Sequence, residues 1–497
     1  MSVEALTVAQ FEGLQRPSPQ RGPSSRRALN VPREMYNFHV TPSGALYMPA
    51  APTEVWDFED EGEVRTIWYV ETPRGLVVQM TSGKIFHISI QPPSDTAFPD
   101  PMNVTHVATM GAGEEQWPLW VNGVDGGTMM GYAPRGSAGP DGDGRTWLLE
   151  GSWDDPTVTN LTTTVTPTAS ASVMYKGRRF WVKRGRQVYF SELNDWTTAR
   201  PEDNTFKIGG DDAGESFLTN PGFVRGMSSW EDSLVFFLGG SVWVLTGPSP
   251  ETYRLRQVQT MVGNHNQNTL VRLDDGVMTY GGVNLNDPGL YLFTGDRAVK
   301  LSQAVGEYME GSLGRITSAT SVNGKYVMTI GREDVEERQL LIYDLETRKW
   351  TTFDGFVLPA VSNQSGRTLV TSGSKVYRTT DAIVPRAPGR GARVTLGYHD
   401  EDNPTGRSRY LAVKLSGRKW NGSPTVTVTA NTELGETVSG PYTLTEDTFD
   451  GFVVPLHLRG TAIEIQLEIG NVADNTRVLI ENLQVVTSRK GEKVSRG

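Results

Sequence analysis

The sequence predicts an all-β protein: a β-propeller of about seven blades (six to eight), followed by a C-terminal antiparallel β-sandwich. The 54 glycines and 29 prolines stand beside 12 Trp, 16 Tyr and 17 Phe, a composition typical of short strands joined by tight turns. Short apolar segments alternate with turn sequences, and long helical periodicity is rare. These segments recur every 30 to 50 residues or so, a spacing that favours a propeller.

The segment Phe223–Gly247 is the clearest of these repeats. An apolar-rich first strand is followed by a polar turn at Glu231-Asp232 and a strand at Leu234–Leu238. A Gly239-Gly240 turn then leads to a strand at Val242–Leu245. Strands that follow one another without an intervening helix form an antiparallel meander. We therefore interpret this segment as one blade.

Residues 1–35 form a predicted extended N-terminal arm. The segment Arg16–Arg33 is rich in proline, serine and arginine and cannot form a core of its own. An arm of this kind becomes ordered when it packs on something else, which points to a large assembly.

Residues 36–380 form the predicted propeller domain. Its strands and blade segments are expected at Val64–Val70, Leu76–Met80, Ile85–Ile90, Trp117–Val121, Thr128–Tyr132, Thr146–Leu149, Val173–Phe190, Leu270–Leu301, Ile316–Phe353 and Leu358–Tyr377, with a short helix at Gln303–Met309. We expect an early strand near Phe38–Leu46 to pair with the last strands and complete the final blade, because closure removes exposed edges.

Residues 381–392 form a predicted linker, and residues 393–497 a β-sandwich domain. Its strands are predicted at Val394–His399, Arg409–Leu415, Thr425–Ala430, Tyr442–Thr445, Phe452–Leu458, Ala462–Ile469 and Val478–Val486. Within Ala462–Ile469 the apolar residues alternate with Glu464, Gln466 and Glu468, which predicts one buried and one solvated face.

Composition also limits the chemistry. The chain has no cysteine, which excludes disulfides, thiol catalysis and cysteine-bound metals. The net charge of −10 argues against nucleic-acid or membrane binding driven by overall charge. No apolar run approaches the ~20 residues of a spanning helix, and the N-terminus lacks the regions of a signal peptide, so we expect a soluble protein.

No residue pattern predicts catalysis, a cofactor or a metal. None of the six histidines belongs to a recognisable metal motif; they are His39, His87, His106, His265, His399 and His457. The loop Asp141–Gly144 lacks the ligands of a calcium loop and the aspartate spacing of a sialidase Asp box. The acidic clusters Glu114-Glu115 and Glu59–Glu63 are interpreted as solvated surface. We therefore predict no catalytic, cofactor-binding or metal residues.

Several segments of the sequence resemble segments of tailed-phage β-propeller proteins. Three of them lie near the N-terminus: Phe11–Leu14, Tyr36–Phe38 and Pro42–Leu46. The others lie in the predicted blades: Arg179–Val182, Gln187–Asp195, Phe206–Gly210, Trp230–Gly247 and Gly289–Leu301. The C-terminal segment resembles the domain that often follows that propeller. The sequence departs from the family pattern at Glu12 and at Met48–Ala50.

Within that family the sequence resembles the tail nozzle proteins of short-tailed phages. The resemblance implies a non-enzymatic virion protein that is assembled in the host cytoplasm as a homohexameric ring. It implies attachment below the portal and adaptor, contacts with tail fibres or spikes, and DNA that passes through the lumen without sequence-specific binding. An acidic wall would keep DNA from adhering.

Two other functions remain open from the residues alone. One is a carbohydrate-binding or depolymerising tail-tip propeller, which needs converging carboxylates. The other is a monomeric protein-interaction propeller. A glycan panel separates the first from a nozzle, and an obligate ring excludes the second.

Overall fold

The fold is given by a computed structural model. It describes residues 2–8, 10–11, 32–70, 75–89, 104–109, 119–122, 127–132, 145–152, 155–160, 171–182, 185–194, 204–209, 223–258, 262–265, 267–282, 288–310, 319–322, 324–330, 339–354, 358–362, 367–378, 384–400 and 408–489. No helix in these ranges is long and apolar enough to cross a membrane.

Almost all regular structure is strand. The strands are β1 Ser2–Val8, β2 Pro32–Tyr36, β3 His39–Val40, β4 Leu46–Met48, β5 Thr53–Asp57, β6 Val64–Val70, β7 Gly75–Met80, β8 Lys84–Ser89, β9 Val104–Thr109, β10 Leu119–Asn122, β11 Gly127–Tyr132, β12 Arg145–Gly151, β13 Pro156–Asn160, β14 Ala171–Tyr175, β15 Arg178–Val182, β16 Gln187–Phe190, β17 Thr205–Lys207, β18 Val224–Trp230, β19 Ser233–Leu238, β20 Val242–Thr246, β21 Arg254–Val258, β22 Val271–Leu273, β23 Gly276–Gly281, β24 Gly289–Phe293, β25 Ala298–Lys300, β26 Ala319–Val322, β27 Lys325–Ile330, β28 Gln339–Asp344, β29 Trp350–Asp354, β30 Leu358–Ser362, β31 Arg367–Ser372, β32 Lys375–Arg378, β33 Ala392–Asp400, β34 Ser408–Trp420, β35 Thr425–Thr432, β36 Gly435–Thr443, β37 Thr448–Gly460, β38 Ala462–Gly470 and β39 Arg477–Arg489. A 3-10 turn at Ser302–Val305 leads into the helix α1 Gly306–Glu310, as the sequence predicted.

The segment chosen from the sequence forms the meander β18-β19-β20-β21. Glu231 adopts a φ of 48° in the first turn, and β19 is buried along Leu234–Leu238. A strand buried on both faces reads as a continuous apolar run, because neighbouring sheets cover both sides. The prediction of an antiparallel meander in this segment is confirmed.

Four-stranded antiparallel meanders of this kind recur through the described chain. Six sheets have four strands each, in the orders β6-β7-β8-β9, β10-β11-β12-β13, β14-β15-β16-β17, β18-β19-β20-β21, β22-β23-β24-β25 and β30-β31-β32-β5. A seventh group, β26-β27-β28-β29, has the same order inside a nine-stranded sheet. We call each group a unit and name it by its first strand.

The first strands of successive units lie beside one another. The neighbouring pairs are β10 and β14, β14 and β18, β18 and β22, β22 and β26, β26 and β30, and β30 and β6. Four-stranded sheets whose first strands follow one another in this way are the arrangement of a propeller. The all-β, propeller-like character predicted from the sequence is therefore confirmed.

The strand that completes the last unit is not the predicted one. β5 pairs with β32, with Trp56 opposite Val376. The segment predicted for this role, Phe38–Leu46, instead contributes β3 and β4, and β4 pairs with β39 near the C-terminus. The reason is burial: Phe38 and Leu46 are both fully buried there, so their apolar side chains belong to another core.

The C-terminal region contains two sheets. One has the order β3-β4-β39-β34-β37, with β1 also on β39, and the other continues from β26–β29 through β2 to β33-β38-β35-β36. Strands β33 to β39 correspond to the seven predicted strands, although β36 begins earlier than the predicted Tyr442–Thr445. The alternation predicted in β38 is present, since Ile463, Ile465, Leu467 and Ile469 are buried, each at most 1% exposed.

The predicted arm is partly built into these sheets. β1 pairs antiparallel with β39, and β2 lies between β29 and β33. These parts of the arm therefore pack on their own chain. Residues 12–31, which include most of Arg16–Arg33, lie outside the described residues.

Candidate functional site

The acidic and histidine candidates that the structure describes form no cluster that could hold a metal. Asp141–Gly144 and Glu114-Glu115 lie outside the described residues. In the Glu59–Glu63 cluster, Glu61 forms an ion pair with Lys84, with 2.6 Å between Glu61 Oε2 and Lys84 Nζ. No group of three or more His, Asp or Glu side chains that could hold a metal is present in the described part of the chain.

Three of the N-terminal positions named above meet in one place: Phe11, Tyr36–Phe38 and Pro42–Leu46. We call this place the junction; it comprises Phe11, Tyr36–Phe38, Pro42–Leu46, Asp354 and Gly391. The Phe11 amide donates to the Gly44 carbonyl over 2.8 Å, and Lys349 Nζ donates to the Phe11 carbonyl over 2.9 Å. Phe11 and Phe38 are fully buried. Segments far apart in sequence thus share one core.

Asn37 is the polar centre of the junction. It adopts a φ of 60°, a left-handed conformation that Asn tolerates better than most residues. Its side-chain amide donates to Asp354 Oδ1 and, over 2.8 Å, to the Gly391 carbonyl, and its oxygen accepts the Asp354 amide over 3.1 Å. One side chain therefore connects the end of β29 with the start of the C-terminal sheets.

His39 lies next to this centre. Its Nε2 is 2.8 Å from the Val384 carbonyl, and its ring centroid is 4.6 Å from that of Phe353. Burial lowers the pKa of His39 to about 4, because the charged imidazolium is poorly solvated there. His39 is therefore neutral at pH 7 and acts as a packing residue.

Lys325 and Asp344 form an ion pair in the β26 unit, near His39. Burial alone would raise the pKa of Asp344, but the hydrogen bond from Lys325 and the Thr347 amide outweigh it, so this pKa lies below its ordinary value. The same carboxylate accepts the Glu346 and Thr347 amides and so caps the turn after β28. This pair has a structural role.

The predicted linker is packed against the C-terminal region. Arg386 is fully buried, and its guanidinium donates to the carbonyls of Arg390, at 3.0 Å, and of Ala473 and Asp474. Burial lowers the pKa of Arg386, yet an arginine stays protonated at pH 7. The linker thus fixes the β30 unit to the turn between β38 and β39.

The exposed apolar residues concentrate at one edge of the C-terminal region. We call the residues Leu434, Val438, Tyr442 and Val453 the apolar edge. Their side chains are 56%, 61%, 37% and 52% exposed. β36 ends the nine-stranded sheet, β37 ends the other sheet, and the two strands contact each other. An edge strand offers unpaired backbone groups, and exposed apolar area beside it marks a contact surface.

Sequence reasoning did not identify the junction, Arg386 or the apolar edge. The sequence contains one signal of the apolar edge, because Leu434 lies in a turn between Glu433 and Gly435, where an apolar residue is unexpected. It contains no signal of the roles of Asn37 and Arg386, since their partners lie far away in sequence.

Comparisons with known proteins find similar solved structures, but no matching family or curated protein. No protein-family model and no curated protein matches the chain. Solved structures that are similar include PorZ of the type-IX secretion system of Porphyromonas gingivalis, with 11% identity over 74% of this chain and 44% of that one, at a TM-score of 0.37. The chain thus spans less than half of that protein.

Two further solved structures are similar to the chain. The β-propeller domain of the Trilobed protease from Pyrococcus furiosus has 9% identity, 66% and 97% coverage and a TM-score of 0.37. The extracellular domain of the putative hybrid two-component system BT4673 from B. thetaiotaomicron has 9% identity, 88% and 63% coverage and a TM-score of 0.43. Similarity at this level leaves the function to be argued from the chain itself.

Proposed function

We propose that this chain is a seven-bladed propeller with a C-terminal β-sandwich, and that it is a non-enzymatic structural subunit of a virion. Its specific role in this proposal is that of a tail nozzle in a short-tailed phage. Copies would form a homohexameric ring below the portal and adaptor, contact tail fibres or spikes, and surround the distal part of the DNA ejection channel.

The apolar edge carries this proposal. Four large apolar side chains on and beside two terminal strands form a surface that is costly to leave in water. The occupant we assign is a different surface of a neighbouring copy of this chain, because a head-to-tail contact generates a ring where the rotation between copies closes.

The fixed linker supports a mechanical role. Arg386 and Asn37 both hold the propeller-like units against the C-terminal sheets. A subunit that surrounds a channel benefits from this fixed geometry, because its contact surfaces then stay at constant distances from one another.

Replacing Val438 by Lys tests the proposal. This change puts a charge into the interface and is expected to dissociate the assembly, whereas Val299→Lys, on an exposed position of the β22 unit, is the matched control. The measurement is molar mass by light scattering after size exclusion. Equal masses for both variants and the wild type would refute the assigned interface, and glycan cleavage by the wild type would favour the depolymerising alternative.

A further inference from the structure

A pair of like-charged side chains lies on the outer face of the C-terminal sheet that contains β34 and β37. In the antiparallel register, Arg409 of β34 is directly opposite Arg459 of β37, and both side chains are exposed. Residues in this register have Cβ atoms about 5 Å apart and lie on the same face of the sheet. Like charges in these positions repel each other, so the pair favours contact with a carboxylate.

The described part of the chain does not neutralise this charge. Arg409, Arg459 and Lys414, which is exposed on β34 beyond a bulge, form no ion pair with any described carboxylate. Further along the same strand the charge is balanced, because Arg418 Nε lies 3.8 Å from Glu481 Oε1. We call Arg409, Lys414 and Arg459 the basic face.

The basic face is continuous with the apolar edge. Lys414 is directly opposite Val453 in the register of β34 and β37, and both side chains are exposed. Protein interfaces commonly surround an apolar centre with a polar rim, and the charges of the rim select the partner and its orientation. A partner that covers Val453 therefore meets the basic face as well, and its own surface there should be acidic.

The same chain has an acidic surface of this kind. The turn between β5 and β6 carries four carboxylates within five residues, namely Glu59, Asp60, Glu61 and Glu63. Glu61 is paired with Lys84. The other three are exposed and form no ion pair within the described chain, and we call them the acidic turn. Because this turn belongs to the propeller-like units, its contact with the basic face of another copy would be head-to-tail.

We propose that the basic face of one copy binds the acidic turn of a neighbouring copy, beside the apolar edge. This inference rests on the proposed ring and names the surface that the neighbour presents. Opposite charges on two different surfaces favour a contact with one direction, because two basic faces would repel each other. A nucleic acid is the less favoured anionic partner, since the net charge of −10 repels a long polyanion.

A charge swap tests this contact, with molar mass measured by light scattering after size exclusion over a range of chain concentrations. Arg459→Glu and Glu63→Lys, each alone, place like charges together and are expected to raise the concentration needed for assembly about tenfold. Both changes in one chain restore an opposite pair and should return this concentration towards the wild-type value. Arg256→Glu, on an exposed position of β21, is the matched control and should assemble as the wild type does.

The outcomes separate this contact from the apolar edge. If Val438→Lys dissociates the assembly while Arg459→Glu behaves like Arg256→Glu, the apolar edge stands and the charged contact is refuted. A double variant that assembles no better than either single variant also overturns the charged contact. DNA that binds to the wild type but not to Arg459→Glu, with assembly unchanged, would assign the basic face to nucleic acid instead. A wild type that stays a single chain refutes the ring itself, and this inference with it.

Discussion

The propeller-like units and the C-terminal sheets bury their apolar residues differently. Among the described residues, the units have three exposed large apolar side chains, Leu193, Phe223 and Val299. Five others lie within the 34 residues from Trp420 to Val453. The difference indicates that the units cover one another's apolar surface, whereas the C-terminal sheets leave an apolar edge exposed.

The largest expected effect concerns the packing between units. Phe237 is fully buried between the β18 and β22 units, with its ring centroid 5.8 Å from that of Phe293. Phe237→Ala is expected to lower the free energy of unfolding by about 4 kcal/mol, through lost burial and a cavity. Urea unfolding measures this, with the half-exposed Phe223→Ala as control. Similar losses for both variants would mean that the units do not stabilise one another.

The next effect concerns the connection between the two regions. Arg386→Ala leaves the carbonyls of Ala473 and Asp474 without their donor and is expected to cost about 3 kcal/mol. It should also make the linker sensitive to limited proteolysis. Arg409→Ala, on an exposed position of β34, should leave both properties unchanged. A resistant linker in Arg386→Ala would show that this side chain does not fix the two regions together.

Acid is expected to weaken the junction through His39. The pKa of His39 falls from an unfolded value of 6.5 to about 4 in the fold, so the unfolded state binds more protons between these values. The stabilisation, on the order of 3 kcal/mol, is complete above pH 6.5 and is lost as the pH falls towards 4. Melting temperatures across this range should fall less in His39→Gln than in the wild type.

The control for this pH profile is His106→Gln, whose side chain is exposed in β9. It should follow the wild-type profile. Parallel profiles for His39→Gln and the wild type would remove His39 as the cause of acid sensitivity.

The smallest effect separates the apolar edge from the core beside it. Val453 is 52% exposed and Val454 is fully buried, although they are adjacent in β37. Val454→Ala is expected to lower the free energy of unfolding by about 2 kcal/mol, and Val453→Ala to change it by less than about 0.5 kcal/mol. The comparison is made by urea unfolding of the dissociated chain. A large loss in Val453→Ala would mean that the edge stabilises the subunit and is not kept for a partner.

Local features of the fold were predictable because they depend on neighbours in sequence. The alternation in β38 and the turn at Glu231-Asp232 follow from residue types over a few positions. The partner of a strand does not: β5 and the pair β3-β4 both look like early strands, and only the shape of distant cores decides that β5 joins β32. For the same reason the bridging position of β2 was not foreseen.

The candidate sites were even less predictable. Asn37 and Arg386 form hydrogen bonds with backbone groups far away in sequence, and a backbone amide or carbonyl has no sequence signature.

The symmetry of the native assembly tests the central claim most directly. The full-length chain would be imaged by negative stain and its class averages compared with native mass spectrometry. The account predicts rings of six copies with an axial opening and with the apolar edge at the contact between copies. Particles that contain a single chain under all conditions, with the apolar edge still open to solvent, would contradict it.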